Sequence, residues 1–169
     1  QKYYYFNKDC KQLISKTKYI WITWELQRRN ISMSKRFGAE LYQWNVKWPA
    51  VLRYPLLALA TVCVIVAKRP EVVFVQNPSV VLAIVAGLWC KAFRPKLFVD
   101  AHNGGLFPFE GEKSWAMMLA KFALVLADHT IVTNPKLAKY VTEHGGRPII
   151  VPDPLPHFVD TPHESTAKL

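Results

Sequence analysis

The feature that most constrains the fold of this chain is a repeated alternation of short apolar runs with longer helical stretches. Six of the runs are rich in β-branched and aromatic residues, as buried strands are. They are Tyr19–Glu25, Ala39–Val46, Val72–Gln76, Lys96–Ala101, His129–Thr133 and Pro148–Val151. Continuous apolar strands that alternate with helices predict a parallel sheet covered on both faces. We therefore expect an α/β fold: a doubly wound, mostly parallel, six-stranded Rossmann-like sheet with right-handed crossovers and helices on both faces.

Helix signals lie between the predicted strands. Ser79 is a suitable N-cap, and Asn134 followed by Pro135 combines a cap with a proline in the first turn. The predicted helices are Ser32–Phe37, Ala50–Lys68, Ser79–Phe93, Ser114–Ala127 and Asn134–His144. This pattern leaves room for one folded domain, over residues 19–156. We expect residues 1–18 to form a separate appendage and residues 157–169 to form a linker or tail.

Composition restricts the class of function. The chain carries 22 Lys and Arg against 12 Asp and Glu, a formal net charge of +10, which favours a membrane surface, a phosphorylated substrate or a nucleic acid as partner. Three widely separated cysteines without a CxxC motif suggest a reducing compartment. The absence of GxGxxG argues against an NAD enzyme, and the five histidines lack metal-ligand spacing. We expect neither a metal nor a cofactor.

Two apolar stretches raise the question of a membrane span. Tyr54–Ala67 and Val80–Cys90 are both shorter than the roughly 20 residues that cross a bilayer. We expect both to be buried or half-buried helices.

The segment KLFVDAHNGG, which begins at Lys96, places titratable groups directly after an apolar strand. Ligands of open parallel sheets bind at the carboxyl ends of the strands. His102 is the candidate general base, and Asp100 either orients that imidazole or acts as the base itself. The alternative is that Asp100 only accepts hydrogen bonds from backbone N–H groups of the following turn.

Neighbouring residues at the same edge are candidates for binding a polar ligand or a phosphate. Asn103 and Asn77 follow two of the predicted strands, although both residue types also serve as turn and cap residues. Gly104 and Gly105 would let a ligand approach the backbone closely, or would merely permit a positive φ.

The first loop is a candidate anion site. Glu25 is followed by Arg28 and Arg29, and a helix is expected to begin just after them, near Ile31 and Ser32. Guanidinium groups and the unpaired N–H groups of a helix N-terminus both favour phosphate. The alternative is a solvated basic surface.

A mixture of aromatic and basic residues precedes and opens the long apolar helix. Trp48, Arg53 and Tyr54 are suited to a lipid headgroup region, and equally to stacking on nucleic acid. The alternative is the half-buried flank of a helix.

Taken in order, these segments resemble the N-terminal, acceptor-side domain of a GT-B fold glycosyltransferase of the family-4 type. The resemblance covers about Tyr19 to Pro156. It is carried by WITWELQRRNIS, FGAELY, VVFVQNPSVVLAIVAGLWCKAF, KLFVDAHNGG, ADHTIVTNPKLAKYV and IIVPDPLP. The VQNP and DAHN segments also resemble lipid-linked mannosyltransferases of the dolichol pathway.

The resemblance implies a two-domain enzyme in which this half binds the acceptor and a C-terminal half binds the nucleotide-sugar. By position, Asp100 or His102 would deprotonate the acceptor hydroxyl. The loop containing Arg28 and Arg29 would contact the acceptor diphosphate or the phosphates of the donor. The chain would then be an excised domain or one subunit of a split hexosyltransferase, with no turnover of its own.

The resemblance also implies partners and a location. The partners are the C-terminal GT-B domain in cis or as a separate subunit, a lipid-linked or saccharide acceptor, and an anionic membrane surface, but no nucleic acid. Trp48, Arg53 and Tyr54 would face the membrane, to which the positive charge attracts the protein. The enzyme would be cytoplasmic, peripheral at the inner face of a membrane, and active in polysaccharide biosynthesis.

Two other classes of function stay open at this point. A non-catalytic, basic Rossmann-like module that binds nucleic acid or protein would account for the charge and the tryptophans. Half of a nucleotide-sugar epimerase would account for the architecture. Neither accounts for both the DAHNGG strand end and the aromatic, basic region near Trp48.

Overall fold

The computed structural model describes residues 4–5 and 18–152. The strands are β1 (Tyr4–Tyr5), β2 (Tyr19–Thr23), β3 (Glu40–Gln43), β4 (Val72–Asn77), β5 (Lys96–Ala101), β6 (His129–Val132) and β7 (Pro148–Ile150). The helices are α1 (Arg28–Phe37), α2 (Ala50–Lys68), α3 (Val80–Phe93), α4 (Asn103–Leu106), α5 (Ser114–Leu126) and α6 (Pro135–Glu143). A 3₁₀ helix covers Pro108–Gly111.

The strands form one parallel sheet in the order β1-β7-β6-β5-β4-β2-β3. All six predicted strands are present, which confirms the α/β Rossmann-like fold. A seventh strand, Tyr4–Tyr5, pairs with β7, so part of the expected appendage extends the sheet. The chain runs from β2 outward to β3 and then returns to β4 on the other side of β2. This reversal creates a crevice between β2 and β4 at their carboxyl ends, where ligands bind in such sheets.

Helices cover both faces, but unequally. Met33 and Phe37 of α1 pack on one face, against Trp21 and Phe74, whose rings stack with centroids 5.4 Å apart. On the other face, side chains of α2, α3, α5 and α6 form the larger core with the alternate strand residues. The period-two alternation of strand side chains therefore divides the sheet into these two cores.

Several predicted boundaries differ from the structure. Helix α1 begins at Arg28, four residues before the predicted start at Ser32, because Asn30 is buried against the sheet and not exposed in a loop. Strand β3 ends at Gln43, short of the predicted Val46. Beyond it, Trp44 N–H still donates to the carbonyl of Thr23 at 3.0 Å. The predicted linker, residues 157–169, lies outside the described residues.

Helix α2 has the predicted bounds, Ala50–Lys68, and extends beyond the apolar stretch Tyr54–Ala67 within it. It has 19 residues, and by length and composition it could cross a membrane, with 17% of its apolar window buried. One side of it packs on the sheet through Leu57, Thr61 and Ile65. Trp24 Nε1–H also donates to Thr61 Oγ1 at 3.1 Å. The expectation of a half-buried helix is confirmed: Leu57, Thr61 and Ile65 are buried on the sheet, and the other residues of α2 are half-buried or exposed.

Candidate functional site

Asp100, at the carboxyl end of β5, is held by Arg29 of α1. Arg29 Nε donates to Asp100 Oδ2 at 3.0 Å, and an Arg29 Nη donates to Asp100 Oδ1 at 2.9 Å. The side chain of Asp100 is fully buried, and that of Arg29 is 9% exposed. A bidentate ion pair of this kind fixes both groups in position. The residues that sequence analysis assigned to a base and to a phosphate site thus form one unit.

His102 lies beside the same carboxylate. Its Nε2 is 3.6 Å from Asp100 Oδ2, too long for a hydrogen bond, and this buried nitrogen has no hydrogen-bond partner in the described residues. The carboxylate beside Nε2 favours the neutral tautomer that carries its proton on Nε2. In that tautomer Nδ1 has a lone pair and can accept a proton. The imidazole is 29% exposed, so it remains accessible at the sheet edge.

The ionisation state of Asp100 follows from these neighbours. Burial alone raises the pKa of Asp100, but the hydrogen bonds and charge of Arg29 and the charge of the adjacent His102 outweigh burial and leave its pKa below the ordinary carboxyl value. Backbone N–H groups of Gly105 and Leu106 donate to the carbonyl of His102, at 2.9 and 3.0 Å. Asp100 is therefore an ionised partner of two side chains and not an acceptor for the turn.

A buried polar network fixes the first loop beside this cluster. Asn30 Nδ2 donates to Gln76 Oε1 at 2.7 Å, and Thr23 Oγ1 donates to the same oxygen at 2.9 Å. Asn30 Oδ1 accepts from Trp21 Nε1 at 3.1 Å, and Gln76 Nε2 donates to Gln27 Oε1. These contacts join the ends of β2 and β4 to the start of α1, so the position of Arg29 is determined by packing below it.

The two glycines of the β5 loop have different surroundings. A Cβ on Gly105 would lie 2.2 Å from the carbonyl oxygen of Asn77, whereas a Cβ on Gly104 would meet nothing within 4 Å. Neither glycine has a positive φ. Gly105 therefore allows the close approach of two backbone segments, with Asn77 buried beneath it. Gly104 and Asn103 are exposed at the edge, where a ligand can reach them.

A small polar pocket of about 100 Å³ opens at the end of β2. Glu25, Asn45, Arg53 and Ser79 contribute its polar groups. The Arg53 guanidinium lies 5.0 Å from the centroid of the Tyr54 ring and 3.4 Å from its hydroxyl oxygen. Arg53 and Tyr54 are thus half-buried pocket residues, although sequence analysis assigned them to a membrane-facing surface.

The remaining predicted residues lie at the rim. Arg28 is exposed on the first turn of α1, and Trp48 is exposed just before α2. Glu25 is half-buried, and its Oε2 accepts from Gln27 Nε2 at 3.0 Å. The carboxyl edge therefore brings Asp100, His102 and Arg29 into contact, while Arg28 and Trp48 stand apart from that cluster.

Sequence analysis missed the residues that support the site. Asn30 and Gln27 were assigned to an open loop, and Gln76 was noted only as the end of a strand. A polar residue at the end of an apolar strand is the signal that could have identified Gln76. The burial of Asn30 has no local signal, because its partners Gln76 and Trp21 are 46 and 9 residues away in the chain.

The chemistry available at this edge is proton transfer and hydrogen bonding to a polar ligand. Among the described residues, no three His, Cys, Asp or Glu side chains gather as a metal site requires. An imidazole oriented by a buried carboxylate can accept a proton from a hydroxyl group. In the polar pocket, Arg53 and Asn45 can donate hydrogen bonds to a polar ligand.

Comparison with known proteins identifies the family. A family model described as "Glycosyl transferase 4-like domain" matches residues 24–152, about three quarters of the chain. A search of curated proteins and a search of solved structures found no significant match. The matched region begins at the end of β2 and includes every residue of the cluster around Asp100.

Proposed function

The chain belongs to the glycosyl transferase 4-like family, and on that premise we propose that it is the acceptor-binding half of a hexosyltransferase. The enzyme transfers a sugar from a nucleotide-sugar to a lipid-linked or saccharide acceptor. The donor is bound by a C-terminal GT-B domain, in cis or as a partner subunit. The single observation that carries this role is the Arg29–Asp100–His102 cluster beside a polar pocket, at the point where the strand order reverses.

The cluster assigns a different role to each of its members. His102 accepts the proton of the acceptor hydroxyl at Nδ1 as that oxygen attacks the anomeric carbon of the donor. The bond between the sugar and the nucleotide diphosphate breaks as the glycosidic bond forms. Asp100 stabilises the imidazolium that results, and Arg29 keeps Asp100 ionised. Asp100 and Arg29 act through His102 and are therefore positioning residues.

The charge and apolar surface favour a peripheral position on the inner face of an anionic membrane. Helices α2, α3 and α5 contain four basic residues, Arg53, Lys68, Lys91 and Lys121, and no acidic residue. Large apolar side chains on their outer sides are exposed, among them Leu52, Leu59, Leu88, Trp115 and Met118. Anionic lipids attract such a surface, and exposed tryptophans suit the headgroup layer. A location of this kind is consistent with polysaccharide biosynthesis on lipid carriers.

The test of catalysis is sugar transfer by the chain together with its donor-binding half. His102→Gln should lower kcat by about 10²- to 10⁴-fold, the usual contribution of a general base. The matched control is His144→Gln, because His144 lies at the far end of α6, away from the carboxyl edge. It should leave kcat unchanged.

Two results would contradict the proposal in different ways. Full activity of His102→Gln would mean that another group accepts the proton. Absence of transfer from every nucleotide-sugar tried, together with tight and salt-sensitive RNA binding, would replace the enzyme with a basic binding module.

A further inference from the structure

We propose that an apolar groove beside the polar pocket binds the hydrocarbon chain of a lipid acceptor whose phosphorylated head occupies that pocket. The inference rests on the proposed function, because it names the acceptor class of the same site. The groove has a volume of about 430 Å³, within the range of small-ligand sites. Its walls include Val80, Val81, Pro108, Phe109, Trp115 and Leu119.

No charged side chain lines the groove. Its lining comes from described residues of α2, α3, α4, α5, the 3₁₀ helix and the turn before α3, and none of these is Asp, Glu, Lys or Arg. A polar or ionised ligand would lose its hydration there without gaining a partner. A hydrocarbon chain instead gains free energy from every methylene that it removes from water.

The groove and the polar pocket are neighbours. Tyr54 and Ser79 line both of them, with Arg53 and Glu25 on the polar side. One continuous ligand that fits both parts must be amphiphilic, with a polar head next to an apolar chain. Arg53 provides the positive charge for a phosphate in the head, and Glu25 can accept a hydrogen bond from a sugar hydroxyl.

The groove also connects the site to the apolar outer surface of the protein. Gly104 lines it two residues after His102, so the groove borders the loop that carries the proposed base. At its other side, Trp115 begins a stripe on α5 that continues through Met118, Phe122 and Val125, all exposed. A chain that leaves the groove along this stripe stays against apolar side chains until it reaches the bilayer. The lack of acidic residues on α2, α3 and α5 favours an anionic bilayer as the source of this ligand.

Binding of alkyl phosphates of increasing length to the 169-residue chain tests the groove. The series runs from inorganic phosphate through butyl and octyl to dodecyl phosphate, each below its micellar concentration, with Kd measured by calorimetry. Affinity should rise two- to fourfold for each added methylene until the groove is full, the upper figure corresponding to complete burial of each group. Arg53→Gln should weaken all alkyl phosphates by a similar factor.

Two lysine variants on α3 separate the groove from the outer surface. Val81→Lys places a charge in the groove and should abolish the dependence on chain length. Leu88→Lys is the matched control, since Leu88 is exposed two helical turns further along the same helix and outside the groove. Leu88→Lys should preserve the dependence of affinity on chain length. Val81→Trp, which fills the groove without adding charge, should end the rise at a shorter chain even if the lysine variant fails to fold.

The outcomes distinguish this inference from the proposed function. Equal affinity for alkyl phosphates of all chain lengths would refute the proposal that the groove binds a hydrocarbon chain. Equal losses of affinity in both lysine variants would refute it as well. Sugar transfer that persists with such flat binding would leave the glycosyltransferase role intact. Conversely, a steep series in a protein that transfers no sugar would retain the groove and remove the catalytic role. Binding of inorganic phosphate alone would show an anion site without a lipid site.

Discussion

Replacement of Arg29 by Met should destabilise the protein strongly at neutral pH. The pair is nearly dry, with side-chain exposures of 9% and 0%, and its two hydrogen bonds are 2.9 and 3.0 Å long. Two unit charges about 4 Å apart attract by about 4 kcal/mol at the effective dielectric constant typical of proteins. Removal of one partner from a buried pair generally costs about 3–5 kcal/mol, because the other charge stays buried without compensation. We expect a loss within that range.

The pH dependence provides the sharper signature. In the wild type the pKa of Asp100 lies below its unfolded value, so its contribution to stability is present above about pH 4 and is lost as the pH falls through that region. Without Arg29, burial raises the pKa of Asp100 above the unfolded value. The contribution of that group is then present below about pH 4 and is lost as the pH rises. The stability difference should therefore be small near pH 3 and should grow towards pH 7, by at most about 1.4 kcal/mol per pH unit.

Urea unfolding of the wild type and the variant at pH 3.5, 5 and 7 measures this difference. Arg28→Met is the matched control, because Arg28 is the preceding residue and is exposed. Its cost should be small at every pH. In the double variant Arg29→Met/Asp100→Asn, the two losses should not add, giving a coupling of at least about 2 kcal/mol. The reasoning is refuted if Arg29→Met costs less than about 1 kcal/mol, or if its cost is the same at pH 3.5 and pH 7.

Two further substitutions test the support of the site. Gly105→Ala places a Cβ 2.2 Å from the carbonyl oxygen of Asn77 and should destabilise the fold by about 1–3 kcal/mol, whereas Gly104→Ala should change stability by less than about 0.5 kcal/mol in thermal unfolding. Asn30→Ala removes the partner of the buried Trp21 Nε1–H and one of the two donors to Gln76 Oε1, and should cost about 2–4 kcal/mol. Ser32→Ala, on an exposed position of the same helix, should cost under about 1 kcal/mol in urea. Similar losses of stability for the two glycine variants, or for Asn30→Ala and Ser32→Ala, would contradict the geometry.

The fold was predictable because its signals are local. A buried parallel strand is a short apolar run, and such runs as Val72–Gln76 and Lys96–Ala101 match the observed strands to within one residue. The dyad of Asp100 and His102 was accessible for the same reason, since both residues follow one strand and need only the rule that ligands bind at carboxyl ends. The bounds of α2 were predictable as well. The extent of its exposure was not, because it depends on where the sheet beneath the helix ends.

The pairing of Arg29 with Asp100 could not be predicted in this way. The two residues are 71 positions apart, and the contact requires α1 to begin at Arg28 beside the end of β5. That start depends in turn on Asn30, whose burial needs Gln76 on a different strand. A basic loop reads the same in sequence whether its arginines face solvent or a buried carboxylate. Tertiary partners alone decide between these cases.

The pairing changes what this edge of the sheet can bind. The charge of Arg29 is balanced by Asp100, and that of Arg53 stands in a pocket that also contains Glu25. The four charges sum to zero, so the edge is less cationic than the two arginines of the first loop suggested. Strong cations next to an imidazole would disfavour its protonation. A near-neutral edge therefore favours the transfer of a proton from a sugar hydroxyl to the imidazole. Under the proposed function, the charge that develops on a departing nucleotide diphosphate would then be stabilised mainly by the proposed donor-binding half.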